Sequence, residues 1–288
     1  MFLCAVEVGS RILPRMSTNE PRQTKAEKQA AARAAREAQA NTDAAAAQRK
    51  KRIWQLGGIV AIAAAIIIAI VVATGGSSSD GGKPTGTPNG AAEINAALEG
   101  VPQVGLTAGN PNAPYTFVEF GDLKCPVCRQ FDVNALPTIL RDYVKTGKIK
   151  FEMRLLHFVG NDTAPGDSEN GARYAEAAGL QKKGINFVEL FYFNQGDETQ
   201  TYATPEFNNW LGSAIPGFNT TKATADAKSA VWAKVFKKNE NDFAANGFTG
   251  TPSFLWGKTG TKLAPLQPAG DLAQASSFTA IFDQAIGK

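Results

Sequence analysis

Two cysteines three positions apart, Cys125 and Cys128, enclose Pro126 and Val127 and follow a largely apolar stretch. Pro126 suits the first position of a helix, because its missing N–H would have no partner there in any case. Cys125 is therefore expected at the N-terminal end of that helix, where unpaired backbone N–H groups and the helix dipole stabilise an anion. A thiolate there attacks disulfides, and a second thiol one turn on can resolve the mixed disulfide. The pattern predicts a redox-active dithiol, with Cys125 as the exposed attacking thiol and Cys128 pointing into the first turn.

The same spacing of cysteines also occurs in half of a zinc site, which needs two further ligands. The chain has a single histidine, His157, and no other cysteine after residue 90, so zinc would require carboxylates or ligands from a second chain. A structural disulfide is a weaker alternative, because closing so short a loop removes little entropy from the unfolded chain. We therefore predict redox chemistry carried by the Cys125–Cys128 disulfide, without a metal or another cofactor. His157 is expected to be a partly buried strand residue rather than a catalytic group.

The elements that must position the dithiol follow from periodicity and from helix and strand breakers. An apolar-rich run over residues 115–120 predicts a strand, which a Gly-Asp pair ends. Helical periodicity over residues 125–145 predicts a helix kinked by Pro137, and residues 149–158 predict the strand that completes a βαβ unit. The other predicted elements are a helix at 91–99, a strand at 103–107, helical patterns at 168–194, 205–215 and 221–246, a hairpin from 250–256 and 261–268, and a helix at 276–286.

This order of strand, CxxC helix, strand, helices, hairpin and closing helix resembles a thioredoxin fold. Within that fold the sequence is similar to the DsbA-like extracytoplasmic thiol oxidoreductases, and two segments carry the similarity: VEFGDLKCPVC at 118–128 and FTGTPSF at 248–254. The distance from the second cysteine to the proline of the later segment, 252 − 128 = 124 positions, leaves room for a helical insertion at about 168–246. The resemblance covers residues 91–288 and implies an α/β, thioredoxin-like catalytic domain.

The resemblance also implies roles for residues outside the dithiol. Glu119 would be a buried carboxyl beneath the cysteines that relays a proton to or from Cys128; a solvated glutamate at the edge of a strand is the alternative. Arg154, on the following strand, would be its ionic partner. Thr251 and Pro252 would form a cis-proline loop packed against the dithiol, and the backbone of this loop would hold an extended substrate.

Pro126 and Val127, the two residues between the cysteines, are expected to tune the redox couple. Well-known DsbA enzymes have a histidine where this chain has Val127, and valine can neither donate a hydrogen bond nor carry a charge. The resemblance therefore implies a less oxidising couple than in those enzymes. A cluster of aromatic residues in the insertion is expected to pack in its core rather than to line a peptide groove: Phe187, Phe191, Tyr192 and Phe193.

Charge and hydropathy divide the chain before this domain. Residues 1–52 carry eleven Lys or Arg against five Asp or Glu, and the remainder carries 30 − 11 = 19 basic and 26 − 5 = 21 acidic residues, so nothing indicates nucleic-acid binding.

Residues 53–73 have no formal charge, and a helix of that length at ~1.5 Å per residue spans about 31 Å, enough for a bilayer core. The basic residues before it predict a cytoplasmic tail, an uncleaved anchor rather than a cleaved signal peptide, and an extracytoplasmic domain. Residues 74–90 predict a flexible linker.

Together these features predict a single-pass membrane protein whose extracytoplasmic domain oxidises the cysteines of exported polypeptides by disulfide exchange. Its partners would be those polypeptides, the lipid bilayer and a quinone-linked membrane protein that reoxidises the dithiol. A thiol reductase supplied by an electron donor, for example in cytochrome maturation, is one alternative. A non-catalytic peptide-binding module on the same fold is the other.

Overall fold

A computed structural model describes residues 84–164 and 166–287. At the centre of this part of the chain is a mixed six-stranded sheet in the order β1-β2-β4-β3-β5-β6. The strands are β1 Gln103–Val104, β2 Thr107–Ala108, β3 Tyr115–Asp122, β4 Ile149–Leu156, β5 Ser253–Lys258 and β6 Ala264–Leu266. The helices are α1 Ala91–Leu98, α2 Pro126–Asn134, α3 Leu136–Ile139, α4 Asp167–Gly179, α5 Gly184–Phe193, α6 Pro205–Ser213, α7 Thr220–Asp226, α8 Val231–Ala245 and α9 Ser276–Ile286.

Strand β3 lies in the middle of the sheet and leads into the dithiol. It pairs in parallel with β4 and antiparallel with β5. On one face Phe117 packs against Phe282 of α9, with ring centroids 5.2 Å apart, and on the other Phe120 packs against Phe243 of α8 at 5.8 Å. Because both faces are covered, β3 is buried from its second residue onward, which explains why the sequence shows a continuous apolar run there instead of alternation.

The end of β3 differs from the prediction. The strand was expected to end before Gly121 but continues through Asp122, and Gly121 pairs with Leu155 of β4. A Cβ added to Gly121 would lie 2.9 Å from Oη of Tyr192. The glycine therefore allows a close approach of backbone and side chain rather than breaking the strand.

The helix that follows the dithiol is broken into three parts. α2 ends at Asn134, α3 spans Leu136–Ile139, and a π-helical turn, Leu140–Val144, completes the segment. Pro137 has no N–H to donate to the preceding turn, which explains the break. The kink predicted at Pro137 is confirmed, whereas a single helix over residues 125–145 is wrong.

Helices α4 to α8 form the insertion between β4 and β5, so the predicted helical insertion is confirmed. The pattern at 168–194 is two helices, α4 and α5, and that at 221–246 is also two, α7 and α8. Gly179, at the end of α4, packs so closely on the turn between β1 and β2 that an added Cβ would lie 2.8 Å from the backbone of Gly105. This contact fixes the insertion against the first, short strands of the sheet.

The described chain begins inside the predicted linker. Trp210 Nε1 of α6 donates a hydrogen bond to Gly86 O (2.7 Å), and Asn89 N donates to Asn194 Oδ1 (2.9 Å). The last residues of the predicted linker therefore contact the insertion. No helix within residues 84–164 and 166–287 is long and apolar enough to cross a membrane, and the anchor predicted at 53–73 lies outside these residues.

Candidate active site

The dithiol lies where β3 passes into α2. Cys125 N donates a hydrogen bond to Asp122 O (2.9 Å), and Arg129 N donates to Cys125 O (3.1 Å), so Cys125 is the N-terminal cap of α2, as predicted. Both thiols are free, and Cys128 is fully buried. Cys125 is only 7% exposed, so the expectation of an exposed attacking thiol is wrong. The difference comes from a loop that covers the sulfur.

That loop is formed by Thr251 and Pro252, and the peptide bond between them is cis, as the resemblance implied. β5 starts beside it, with Ser253 opposite Phe120 of β3, and this pairing brings the loop to the end of β3. In its protonated form, Sγ of Cys125 donates a hydrogen bond to Thr251 O at 3.5 Å. The structure thus brings together the two segments that carry the sequence similarity.

The two thiols differ in their electrostatics. The pKa of Cys125 is lowered from 9.0 to about 6, first by a hydrogen bond with Cys128 and then by the Thr251 side chain and the N–H groups of Cys128 and Val127, which outweigh the opposing effect of burial. The pKa of Cys128 is raised well above its usual range, first by burial and then by its hydrogen bond with Cys125 and the charge there. Near neutral pH the pair therefore holds one negative charge, and Cys125 carries it.

The turn between β3 and α2 is held by residues that sequence analysis missed. Gln195, which follows α5, donates from Nε2 to the carbonyls of Leu123 (2.7 Å) and Cys125 (3.1 Å). A glutamine in a polar loop has no spacing that would have revealed this role. The Asp122 carboxylate accepts hydrogen bonds from four donors, Lys124 N, Phe158 N, Val159 N and Ser168 Oγ.

Lys124, immediately before the dithiol, is fully buried. Its Nζ donates to Asp167 Oδ2 at 2.9 Å and to Gln200 O at 2.6 Å. Asp167, the first residue of α4, also accepts hydrogen bonds from the N–H groups of Tyr202 and Ala203. A buried ion pair, with further hydrogen bonds to each partner, thus joins the dithiol turn to the insertion.

Glu119 is fully buried on β3, so the alternative of a solvated glutamate at a strand edge is wrong. Its pKa is raised well above its usual range, first by burial and then by the charge of Glu189. Its own negative charge contributes to raising the pKa of Cys128. Burial therefore favours the protonated form of this carboxyl, and when Glu119 is ionised its charge acts on the buried thiol.

Arg154 is not the partner of Glu119. It is opposite Phe120 in the β3–β4 pairing and therefore shares the face of the sheet that Glu119 does not occupy. Its guanidinium pairs instead with Glu152 (2.7 Å) and with Asp242 of α8 (3.1 Å).

Two more buried carboxyls lie beside Glu119, and sequence analysis missed both. Asp132 of α2 is fully buried and Glu189 of α5 is 1% exposed. Asp132 is within hydrogen-bonding reach of both glutamates, and burial is the first cause that raises the pKa of each group. No N–H or hydroxyl donor in the described residues bonds to the oxygens of these three carboxyls. A polar residue on a helix is usually solvated, so only the packing of α5 against α2 reveals them.

The remaining predicted residues have simpler settings. Val127 is 43% exposed beside the cysteines. His157 is partly buried just after β4, with its ring 5.0 Å from that of Phe236. Core packing is confirmed for the aromatic cluster of the insertion, of which Phe187, Phe191 and Tyr192 are fully buried. Within the described residues, no group of three or more His, Cys, Asp or Glu is arranged to hold a metal ion.

A family model described as Thioredoxin matches residues 103–266, more than half of the chain. The chain belongs to the thioredoxin family. Three curated relatives of this thioredoxin-family chain are bacterial. Probable disulfide bond formation protein D of Bacillus cereus is 36% identical over 100 residues, covering 34% of this chain and 44% of that protein. The protein of the same name in Bacillus anthracis is 28% identical over 146 residues, covering 50% of this chain and 66% of that protein.

Disulfide bond formation protein D of Bacillus subtilis is 30% identical over 125 residues, covering 41% of this chain and 52% of that protein. The thioredoxin-family chain thus matches between 44% and 66% of the length of these relatives. Among solved structures, oxidised BdbD from Bacillus subtilis superposes with a TM-score of 0.53 at 21% identity, covering 65% of this chain and 97% of that one. DsbA from Chlamydia trachomatis superposes with the same TM-score at 18% identity, covering 63% of this chain and 91% of that one. These likenesses show a DsbA-like thioredoxin fold.

Proposed function

We propose that this chain is an extracytoplasmic thiol–disulfide oxidase, which oxidises the cysteines of exported polypeptides through Cys125 and Cys128. One observation carries the proposal: a thiol with a pKa of about 6 caps a helix beside a buried thiol whose pKa is raised. Lowering the pKa of the attacking cysteine stabilises the dithiol form, and a pair that is stable when reduced tends to oxidise other thiols. The names of the relatives, disulfide bond formation protein D, agree with this direction.

The reaction follows from the positions of the two sulfurs. A substrate thiolate attacks Sγ of Cys125 in the disulfide form, the Cys125–Cys128 bond breaks, and its electron pair passes to Sγ of Cys128. The buried Cys128 thiolate takes up a proton, for which its raised pKa provides the driving force. A second substrate thiolate then attacks the substrate sulfur of the mixed disulfide, and Cys125 leaves as the stabilised thiolate. The redox-active disulfide is the only group that this chemistry requires.

The cis-proline loop indicates where the substrate polypeptide binds. Thr251 O faces Sγ of Cys125 at 3.5 Å, so a polypeptide that reaches the sulfur passes along the backbone of Thr251 and Pro252. An extended segment could pair with this backbone as an added strand. The half-exposed side chains of Val127 and Phe158 offer apolar contacts on the surface nearby.

Membrane anchoring belongs to the same proposal and is supported by sequence. Residues 53–73 form an uncharged run preceded by four basic residues, which favours a cytoplasmic tail and an extracytoplasmic catalytic domain. An oxidase in this location needs a membrane partner that accepts its electrons, and we propose a quinone-linked protein as the reoxidant.

Incubation of the oxidised full-length protein with a reduced, unfolded disulfide protein tests the function. The proposal predicts one disulfide formed in the substrate for each dithiol formed in this chain, and no transfer by a Cys125→Ser variant. Binding of the polypeptide without transfer by either protein would contradict an enzyme and support a peptide-binding module. Net reduction of a disulfide substrate, with no oxidation in glutathione buffers, would instead support a reductase.

A further inference from the structure

Three buried carboxyls form a series that begins at the buried sulfur. The charge of Glu119 acts on Cys128. Asp132 lies within hydrogen-bonding reach of Glu119 on one side and of Glu189 on the other. The pKa of Glu189 is raised by burial and by Asp132, and neither cysteine is among the causes. Glu119 is thus the carboxyl that acts on Cys128, Asp132 contacts both glutamates, and the charge of Glu189 also acts on Glu119.

The inner end of the series lies at the base of the dithiol turn. A Cβ added to Gly121 would lie 3.2 Å from Oε1 of Glu119 and 2.9 Å from Oη of Tyr192. Both oxygens thus converge on the same backbone position, next to the residue whose carbonyl accepts the hydrogen bond from Cys125 N. The Tyr192 hydroxyl has no hydrogen-bond partner among the described residues.

The outer end of the series lies at a cleft. Glu189 lines a small cavity of about 50 Å³, which lies between α1, α5 and the segment that follows α2. Exposed Glu93 of α1 is the other acidic residue in the lining, and the remaining lining residues are apolar, Ile94, Ala97, Leu98, Pro137, Leu140 and Phe193. Glu189 therefore belongs both to the buried series and to the wall of this cavity, and its two carboxyl oxygens are themselves buried.

Arg129 of α2 donates its Nε–H to the carbonyl of Tyr192 rather than to a carboxylate. The titratable groups in and around the series are Glu119 and Asp122 of β3, Cys125 at the N-cap of α2, Cys128 and Asp132 of α2, Glu189 and Tyr192 of α5, and Glu93 of α1.

Two carboxyls in contact can form a hydrogen bond only if one of them holds a proton. The series therefore contains shared protons, and each can move to the next carboxyl by a short transfer. Burying three carboxyls without donors costs stability, and apolar residues of similar size would avoid that cost. A folded chain that keeps all three is explained more readily by a chemical role than by packing.

We propose that Asp132 and Glu189 extend Glu119 into a proton relay between the sulfur of Cys128 and the cleft beside α1. The inference rests on the proposed oxidase function. When a substrate thiolate opens the disulfide, the electron pair of the broken S–S bond goes to Cys128, and Glu119 gives that sulfur its proton. Asp132 then reprotonates Glu119, Glu189 reprotonates Asp132, and water in the cleft reprotonates Glu189. The net change is the uptake of one proton from solvent on the side of α1, away from the bound substrate thiol.

Asp132→Asn and Glu189→Gln in the full-length protein test the relay, since each keeps the shape of the side chain but cannot pass a proton along the series. The matched control is Glu176→Gln. Glu176 lies on α4, its pKa is raised to about 7 by burial alone, and it is not part of the series. The assay is the rate at which dithiothreitol reduces the Cys125–Cys128 disulfide, measured from about pH 5 to about pH 8 in H2O and in D2O.

The relay predicts that Asp132→Asn and Glu189→Gln each slow reduction of the disulfide about tenfold at neutral pH, which is a modest fraction of what general acids contribute. Each variant should also change the solvent isotope effect. The double variant should be no slower than the slower single variant, because the two groups act in series. Glu176→Gln should match the wild type. Wild-type rates and isotope effects in both relay variants would overturn the relay alone, whereas no Cys125-dependent reduction of the wild type would overturn the proposed function as well.

A measurement on the wild type covers the case in which a variant does not fold. The relay predicts that infrared difference spectra between the disulfide and dithiol forms show changes in the C=O stretch of protonated carboxyls, shifted in D2O. A difference spectrum without any change in that band would overturn the relay.

Discussion

Raising the pH from about 5 to about 8 should change how the redox potential of the Cys125–Cys128 couple varies with pH, because the dithiol form loses the Cys125 proton within that range. Below a pKa of about 6, reduction of the disulfide takes up two protons with two electrons. Above it, reduction takes up one. For a two-electron couple the potential should therefore fall by about 59 mV per pH unit below the break and by about 30 mV above it.

The size of the effect at pH 7 follows from the same pKa. About nine tenths of Cys125 is thiolate there, against about one hundredth for a thiol that titrates at the ordinary value of 9.0. Ionisation then stabilises the dithiol by about 1.4 kcal/mol relative to a pair without the shift, which makes the couple about 30 mV more oxidising. The opposing loss of intrinsic nucleophilicity reduces the gain in attack rate to about fivefold, so the shift matters most for Cys125 as a leaving group.

The stability of the dithiol form should follow the same ionisation. In the folded dithiol Cys125 is deprotonated above about pH 6, whereas in the unfolded chain it keeps its proton up to about pH 9. The stabilisation is therefore fully present above about pH 9 and is lost as the pH falls through about 6. The disulfide form has no such thiol, so the change of the difference in unfolding free energy between the two forms from about pH 5 to about pH 8 reports the ionisation of Cys125.

Equilibration with glutathione buffers over a pH series measures the potential, and the absorbance of the thiolate measures the ionisation directly. Thr251→Val removes a hydrogen bond that lowers the pKa of Cys125, so the break should move to higher pH in that variant. Cys125→Ser is the blank for the absorbance. A single slope of about 59 mV per pH unit up to about pH 8, with a thiolate midpoint near 9, would refute the reasoning.

The other predictions concern the neighbours of the dithiol. Val127→His should make the couple more oxidising, because an imidazolium beside the thiolate stabilises it; an unchanged or lower potential in glutathione buffers would contradict this. Lys124→Met leaves the Asp167 carboxylate buried without its ionic partner and should lower the free energy of unfolding by about 3–5 kcal/mol. Lys222→Met, on the exposed face of α7, should change that free energy by less than about 1 kcal/mol. Equal effects of the two variants in urea denaturation would refute the distinction. Gln195→Leu should lower the free energy of unfolding by about 1–3 kcal/mol and slow disulfide exchange. An unaltered exchange rate would show that the two hydrogen bonds from Gln195 do not position the turn.

What could be predicted from the sequence is what is encoded locally. Pro126 after Cys125 marks the start of a helix, and the strand before it marks the βαβ unit, so the attacking thiol could be placed at a helix N-terminus. The cis-proline loop and the burial of Glu119 could be predicted because short segments around them resemble a known family. Pro137 revealed the kink because its missing N–H acts on its own helix.

What could not be predicted depends on contacts between distant segments. The low exposure of Cys125 comes from the loop at Thr251, more than a hundred positions away. Asp132 and Glu189 meet only because α5 packs against α2, and neither position differs in the sequence from a solvated acid on an amphipathic helix. Arg154 was wrongly paired with Glu119 because sequence distance did not reveal that the two side chains lie on opposite faces of the sheet.

The redox state of Cys125 and Cys128 in living cells tests the central claim most directly. Rapid acid quenching followed by a thiol-reactive mass label separates the dithiol from the disulfide form on a gel. An oxidase that is continuously reoxidised should be found mostly as the Cys125–Cys128 disulfide. A pair found mostly as the dithiol under the same conditions would contradict the account and favour a reductase.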